Sequence, residues 1–211
     1  MNLETESEQG TYSKLDTPQN NKYELDEMIF EVPNKSAIEQ CTDQDFLDLL
    51  RVIKEDVSSW DRAGSGDNVT VYKKMTDTSP IVLVKAIAWL KGVTPEILYE
   101  VMSNQVLRRY WDNVLSNFEI IEDDPAIGRS VLYYMVKTPI GVSNRDFLQQ
   151  RKVKKDFPEI GTITMHFKSV THPKCPELPK NVRAETLLSG YLIEKDTDAN
   201  GFTGTKLTII S

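Results

Sequence analysis

The chain has 211 residues, of which 39% are hydrophobic and 27% are charged, so it has room for one mid-sized globular domain and an appendage. Its net charge of −7 argues against the broad basic surface of a nucleic-acid-binding protein. No apolar run approaches the roughly 18 residues that a membrane-spanning helix needs. The N-terminus lacks a basic start followed by an apolar core, so we expect a cytoplasmic protein without a secretory signal.

The negative charge is concentrated at the N-terminus. Residues 1–40 contain nine acidic and three basic side chains, a net charge of −6, and few large apolar residues. Residues 41–211 contain 23 acidic and 22 basic side chains, a net charge of −1. We therefore predict that 1–40 is an acidic, disordered tail and that 41–211 is the folded domain.

Helical signals dominate the first part of the domain, with two strands between them. Thr42 and Asp45 fit a capping box before an apolar stripe, which predicts a helix over 43–58. A turn signal at 64–67 precedes predicted strands over 69–75 and 81–91. Residues 94–96, Thr-Pro-Glu, predict a second helix start, and a break at 103–104 separates a third helix. The third helix carries a stripe that we expect to pack against the sheet: Leu107, Trp111 and Val114.

Strands and turns follow to the end of the chain. Predicted strands cover 118–121, 129–137, 144–153, 160–169, 182–194 and 203–211. The loop 170–181 contains three prolines, and loops of this length are usually functional or mobile. The order of elements predicts an α+β domain in which helices cover one side of a curved antiparallel sheet.

Catalytic and metal-binding patterns are absent from the sequence. Neither Cys41 nor Cys175 belongs to a C-x-x-C spacing, and both are expected to be free thiols. His166 is predicted to be a surface or cavity-lining residue of a strand, and His172 with Cys175 cannot complete a four-ligand zinc site. The sequence therefore predicts no metal site, no cofactor and no enzymatic activity.

The basic segment 151–155 has two interpretations. It could contact anionic headgroups, at about 1 kcal/mol per basic residue near such a surface. Alternation along a strand would divide its charges between two faces, which favours an ordinary solvated strand end.

Arg108 and Asp112 lie four residues apart on the third predicted helix, beside Trp111. On a surface such a pair contributes at most about 0.5 kcal/mol, and the spacing alone favours that interpretation. A buried pair would require further partners, and a phosphate could accept two bonds from the arginine.

Five motifs follow one another along the chain: TPEILYE at 94–100, RRYWD at 108–112, KTPIGVSNRDF at 137–147, Val-Arg at 182–183 and SGYLI at 189–193. Together and in this order they resemble the START domains, the lipid-transfer domains related to the steroidogenic acute regulatory protein. The resemblance covers about residues 42–211. Within the family, the chain is most similar to the phosphatidylcholine transfer protein branch.

This resemblance implies a helix-grip fold, in which a curved antiparallel sheet wraps a hydrophobic tunnel closed by a C-terminal helix. The chain stops at Ser211 within the last predicted strand, so we expect the closing helix to be missing. The loop 170–181 would lie beside the tunnel mouth. The resemblance also implies a lipid-binding set in which Arg108 and Asp112 are near the headgroup and an aromatic cage falls on Tyr134, Phe147 and the non-aromatic Leu187.

Three functions from different classes remain open. The favoured one is binding and intermembrane transfer of a single lipid by a monomer in transient contact with membranes. A phospholipid is the favoured ligand, with sterol and sphingolipid as alternatives. The second is a lipid-sensing or tethering module without transfer, and the third a cyclase or hydrolase that reuses a helix-grip cavity.

Overall fold

The computed structural model describes residues 41–76, 79–138 and 143–211, and the predicted disordered tail 1–40 lies outside them. The described part has the predicted α+β composition. The α-helices are α1 (Asp43–Lys54), α2 (Pro95–Ser103) and α3 (Gln105–Trp111). The strands are β1 (Asp61–Ser65), β2 (Val69–Thr76), β3 (Ser79–Lys91), β4 (Leu115–Asp124), β5 (Arg129–Val136), β6 (Asn144–Lys155), β7 (Ile163–Ser169), β8 (Asn181–Ala184), β9 (Ser189–Thr197) and β10 (Thr203–Ile210).

All ten strands of the described residues join one sheet, in the order β1-β2-β3-β10-β9-β7-β6-β5-β4. Neighbours along this path are antiparallel, and β8 pairs in parallel with β6 outside it. The register shifts within β1–β2, β2–β3 and β4–β5, and such irregularities bend and twist a sheet. The predicted curved antiparallel sheet is confirmed.

Local capping fixes the starts of α1 and α2, as predicted. The Thr42 hydroxyl accepts the Asp45 N–H at 3.3 Å, and Asp45 Oδ2 accepts the Thr42 N–H at 2.6 Å, which completes the capping box. Thr94 accepts the Ile97 N–H at 3.4 Å, and Pro95 occupies the first helical position of α2. Sequence therefore defines both helix starts without tertiary help.

The two faces of the sheet are covered by different helices, which corrects the expectation that all helices lie on one side. Leu192 packs with Leu49 and Leu50 of α1, whereas the adjacent Ile193 belongs to the cluster of Leu98 and Met102 from α2. Successive side chains of a strand point to opposite faces. Helix α1 therefore covers the outer face, and α2 covers the inner face.

Gly190 permits the close approach of α1 to the sheet. A Cβ atom at this position would overlap the Leu49 side chain and lie 2.6 Å from the Met165 carbonyl oxygen. Glycine is therefore required here by space and not by backbone conformation.

Several element boundaries differ from the predictions, and α1 ends at Lys54 instead of the predicted residue 58. Strand β1 was not predicted, and it includes the first two residues of the turn signal at 64–67. Helix α3 ends at Trp111, since Asp112 instead accepts the N–H groups of Val114 and Leu115. The predicted strand 182–194 is interrupted between β8 and β9. No helix of the described residues is both long and apolar enough to cross a membrane.

Candidate functional site

A cavity of about 580 Å³ opens on the inner face of the sheet. Alternation places Leu132, Tyr134 and Val136 of β5 along one of its walls. Aromatic and aliphatic side chains form most of the remaining lining, which includes Ile81, Val82, Leu83, Phe118, Phe147, Phe167, Leu187, Leu188, Tyr191 and Ile209. The volume lies within the range of about 300–1,000 Å³ that is typical of ligand pockets.

Arg108 and Asp112 form a largely buried ion pair at the edge of this cavity. Arg108 Nε donates to Asp112 Oδ2 at 3.1 Å, and Nη2 lies 3.1 Å from the same oxygen as the ion-pair contact. The side chains are only 16% and 13% exposed, so the surface interpretation of this pair is wrong. Arg108 lines both the main cavity and a smaller one of about 250 Å³, whereas Asp112 lines only the smaller one. The guanidinium carbon also lies 5.4 Å from the centre of the Phe118 ring.

The predicted aromatic cage residues are arranged as a stack. Tyr134 and Phe147 are nearly parallel, with ring centres 5.0 Å apart and planes inclined by 10°. Phe118 stacks at 6.2 Å on Tyr134 from the neighbouring strand β4. Because β5 lies between β4 and β6, the two faces of the Tyr134 ring are covered by Phe118 and Phe147.

The remaining predicted residue, Leu187, lies in the segment 185–188 between β8 and β9. It lines the cavity together with its neighbours in this segment, and its side chain is 58% exposed. Four of the five predicted site residues thus line one cavity, and the ion pair connects the fifth, Asp112, to them. Whether they contact a lipid remains a prediction.

Two polar residues of the cavity were not identified from the sequence. The Tyr134 hydroxyl donates to Gln149 Oε1 at 3.1 Å, and Gln149 Nε2 donates to the Thr186 hydroxyl. Burial raises the pKa of Tyr134 above its ordinary value, which keeps the phenol protonated as a donor. Gln149 follows Phe147 by two positions on β6, so strand alternation could have placed both on the inner face.

The proline-containing loop 170–181 contacts the outer face of the sheet. His172 Nε2 lies 3.0 Å from Glu122 Oε1 of β4, and the carbonyl oxygens of Cys175 and Pro176 accept hydrogen bonds from Nη2 of Arg183 in β8 at 3.2 and 3.3 Å. Among the described residues lining the cavity there is none from this loop. The expected position beside the tunnel mouth is taken instead by 185–188.

Helix α1 covers the buried imidazole of His166 and the partly buried thiol of Cys41. Cys41 Sγ lies 3.4 Å from His166 Nδ1, and His166 packs against Phe46 with ring centres 5.7 Å apart. The expectation of a surface or cavity-lining His166 is wrong, because α1 covers the outer face. Burial raises the pKa of the Cys41 thiol to about 12, the opposite of the lowered value of an activated cysteine.

The basic segment 151–155 is not solvated at its first residue, contrary to the favoured interpretation of a solvated strand end. Arg151 is buried, and it donates to the Ser103 carbonyl at 3.0 Å and to the Ser130 hydroxyl at 2.9 Å. It therefore joins α2 to the sheet. Within residues 41–76, 79–138 and 143–211, no group of three or more His, Cys, Asp or Glu side chains is placed to hold a metal ion.

Comparison with known proteins agrees with this architecture. The family model described as START domain matches residues 40–211. This chain belongs to the START domain family. The crystal structure of human STARD10 superimposes with a TM-score of 0.67 and 24% identity, covering 84% of this chain and 71% of that one. This similarity supports the helix-grip fold of the START domain.

Two curated relatives carry lipid-transfer names. The mouse StAR-related lipid transfer protein 7, mitochondrial, is 24% identical over 151 residues, which are 71% of this chain and 40% of the relative. The mouse phosphatidylcholine transfer protein is 25% identical over 142 residues, 66% of this chain and 64% of the relative. The chain thus spans less than two thirds of the length of either relative.

Proposed function

We propose that this protein binds a single lipid in the cavity and carries it between membranes, with a phospholipid as the favoured ligand. The observation that carries the proposal is an apolar cavity with a buried ion pair, Arg108–Asp112, at its edge. Exposing a lipid chain to water costs about 0.8 kcal/mol per CH₂ group. An apolar cavity would remove most of that cost during transit.

The headgroup would be recognised through Arg108. Asp112 accepts the hydrogen bond of Nε, so the guanidinium keeps further donors for a second anion. A phosphate can accept two parallel bonds from an arginine. The stacking of Tyr134 between Phe118 and Phe147 does not offer a cage to a choline group, so the proposal extends to phospholipids in general.

Apolar side chains at the cavity rim support transient contact with membranes. Ile81 and Leu187 line the cavity, and both side chains are more than half exposed. A rim of this kind would lie in the acyl boundary of a bilayer while the lipid enters. We further propose that the protein acts as a monomer, in the cytoplasm, and without a cofactor or enzymatic turnover.

A vesicle assay tests the proposal. Donor vesicles contain a fluorescent phosphatidylcholine, and acceptor vesicles contain none. We expect transfer to increase in proportion to protein concentration and to fall at least fivefold for Arg108→Gln. Lipid that co-purifies with the protein but is not transferred would favour the sensing or tethering function, and the absence of both binding and transfer would overturn the proposal.

A further inference from the structure

The cavity contains an uncharged polar group in addition to Arg108. Gln149 is 5% exposed and lies on the inner face among aromatic and aliphatic side chains. A buried amide is costly unless its donors and acceptor are satisfied. The hydrogen bonds that Gln149 makes within the protein therefore show which of its donors and acceptors remain for a ligand.

Neighbouring side chains fix the orientation of this amide. The Tyr134 hydroxyl occupies Oε1, and Thr186 accepts one of the two N–H groups of Nε2. Thr186 is itself held in place, because its backbone N–H donates to the Ser169 hydroxyl at 2.8 Å. One N–H of Gln149 and the hydroxyl hydrogen of Thr186 are left as donors beyond these bonds.

We propose that Gln149 and Thr186 form a second binding point, which takes the carbonyl oxygen that joins an acyl chain to the lipid backbone. The inference rests on the proposed function, because it places a second part of the same lipid in the same cavity. Two uncharged donors suit a neutral acceptor, whereas a phosphate would be bound more strongly by Arg108. Ester and amide carbonyls offer the same acceptor, so both glycerolipids and sphingolipids carry this chemistry.

Competition between two lipids that differ only in this carbonyl tests the proposal. The full chain, freed of lipid, is incubated with vesicles containing equal amounts of diacyl and dialkyl-ether phosphatidylcholine of equal chain length. The lipids are then extracted from the re-isolated protein and quantified by mass spectrometry. We expect the diacyl lipid to be enriched about three- to tenfold, the value of one ordinary hydrogen bond.

Two variants and one control complete the experiment. Gln149→Leu should reduce the enrichment to near one by weakening diacyl binding alone. Thr186→Val, a smaller change at a partly exposed position, should halve the enrichment at least, and it provides the test if Gln149→Leu does not fold. Thr70→Val makes the same change at a partly exposed position of β2 that does not line the cavity, and it should preserve the wild-type ratio.

The outcomes separate this inference from the proposed function. Equal uptake of diacyl and dialkyl lipids by the wild type, or an unchanged enrichment in Thr186→Val, would overturn the carbonyl site and leave lipid binding intact. Uptake of neither lipid would overturn both. A parallel incubation with sphingomyelin shows which class of carbonyl the site accepts. Enrichment of sphingomyelin over the ether lipid supports a site for any acyl carbonyl, whereas no enrichment restricts the site to ester carbonyls.

Discussion

Arg108 contacts one carboxylate oxygen of Asp112, while the other oxygen of Asp112 binds the backbone. Oδ2 accepts a hydrogen bond from Arg108 Nε at 3.1 Å and lies 3.1 Å from Nη2, and Oδ1 accepts the N–H groups of Val114 and Leu115 at 3.2 and 3.4 Å. The carboxylate thus connects the cavity edge to the turn between α3 and β4. We therefore expect the loss of the Arg108 contact and the loss of the bonds to the turn to change the stability of the domain by different amounts.

Arg108→Ala should destabilise the protein by about 2–3 kcal/mol. Removing one partner of a fully buried pair costs about 3–5 kcal/mol, and the backbone bonds that Asp112 keeps reduce this penalty. The free energy of unfolding in urea measures the effect. Arg51→Ala, which breaks an exposed pair with Asp48, is the matched control and should cost no more than about 0.5 kcal/mol.

Neutralising the carboxylate separates charge from packing in the same pair. The double variant Arg108→Met with Asp112→Asn keeps an acceptor for the turn and leaves no unpaired charge. We expect it to recover at least half of the stability lost in Arg108→Ala, with phospholipid binding still impaired. Equal stability of the single and double variants would contradict a penalty from the unpaired carboxylate.

Gly190→Ala should cost about 1–3 kcal/mol, the usual range for overpacking a core. The added methyl group would meet the Leu49 side chain and the Met165 carbonyl oxygen, so α1 would have to move away from β9. Thermal and urea unfolding measure the loss. Gly64→Ala is the control, because nothing lies within 4 Å of a Cβ atom there, and it should change stability by less than about 0.5 kcal/mol.

The sequence predicted the helix starts and strands that depend on capping residues or on the alternation of side chains. The Thr42 capping box defines the start of α1, and alternation along 129–137 and 144–153 corresponds closely to β5 and β6. The interruption at 185–188 was missed, because its residues continue a pattern compatible with a strand.

In the candidate site, too, local patterns could be predicted from the sequence and contacts between distant residues could not. Spacing shows only that Arg108 and Asp112 share a helix face, whereas their burial depends on β4 packing beneath α3. Alternation from Phe147 could have indicated Gln149, but its bonds to Tyr134 and Thr186 join residues distant in the chain. The prediction that Leu107, Trp111 and Val114 pack against the sheet is wrong, because all three are exposed. The polar side of α3 faces β4 instead, where Gln105 and Arg109 donate to the Phe118 carbonyl.

The contact between the loop 170–181 and β4 should depend on pH through Glu122. A hydrogen bond from His172, supported by Arg129, lowers the pKa of Glu122 below its ordinary value. The stabilisation is therefore complete above the unfolded-state pKa of about 4.3 and is lost as the pH falls through the lower folded-state pKa. We expect Glu122→Gln to be destabilising at pH 7, with the difference from wild type shrinking below about pH 4.

Urea unfolding between pH 7 and pH 3.5 measures this dependence. Glu119→Gln removes the same charge from an exposed position of the same strand and controls for the change in net charge. Curves for wild type and Glu122→Gln that stay parallel over the whole range would show that the carboxylate does not anchor the loop through its charge.

The stacked rings predict that the protein does not distinguish the amine of the headgroup. A cation–π contact needs a free ring face, and a desolvated one is worth about 0.5–2 kcal/mol, or roughly two- to thirtyfold in affinity. Phe118 and Phe147 cover the faces of Tyr134, and Leu187 supplies no ring. The phosphate, by contrast, is common to all glycerophospholipids, so recognition through Arg108 should be insensitive to methylation of the amine.

Vesicles containing equal amounts of phosphatidylcholine and phosphatidylethanolamine with identical acyl chains test this prediction. The lipid extracted from the re-isolated protein should contain the two within about twofold of each other. Phe147→Leu, which removes one ring of the stack, should reduce uptake of both lipids equally, because the ring contributes apolar surface alone. An enrichment of phosphatidylcholine of tenfold or more, abolished by Phe147→Leu, would mean that the rings separate to hold choline when lipid enters.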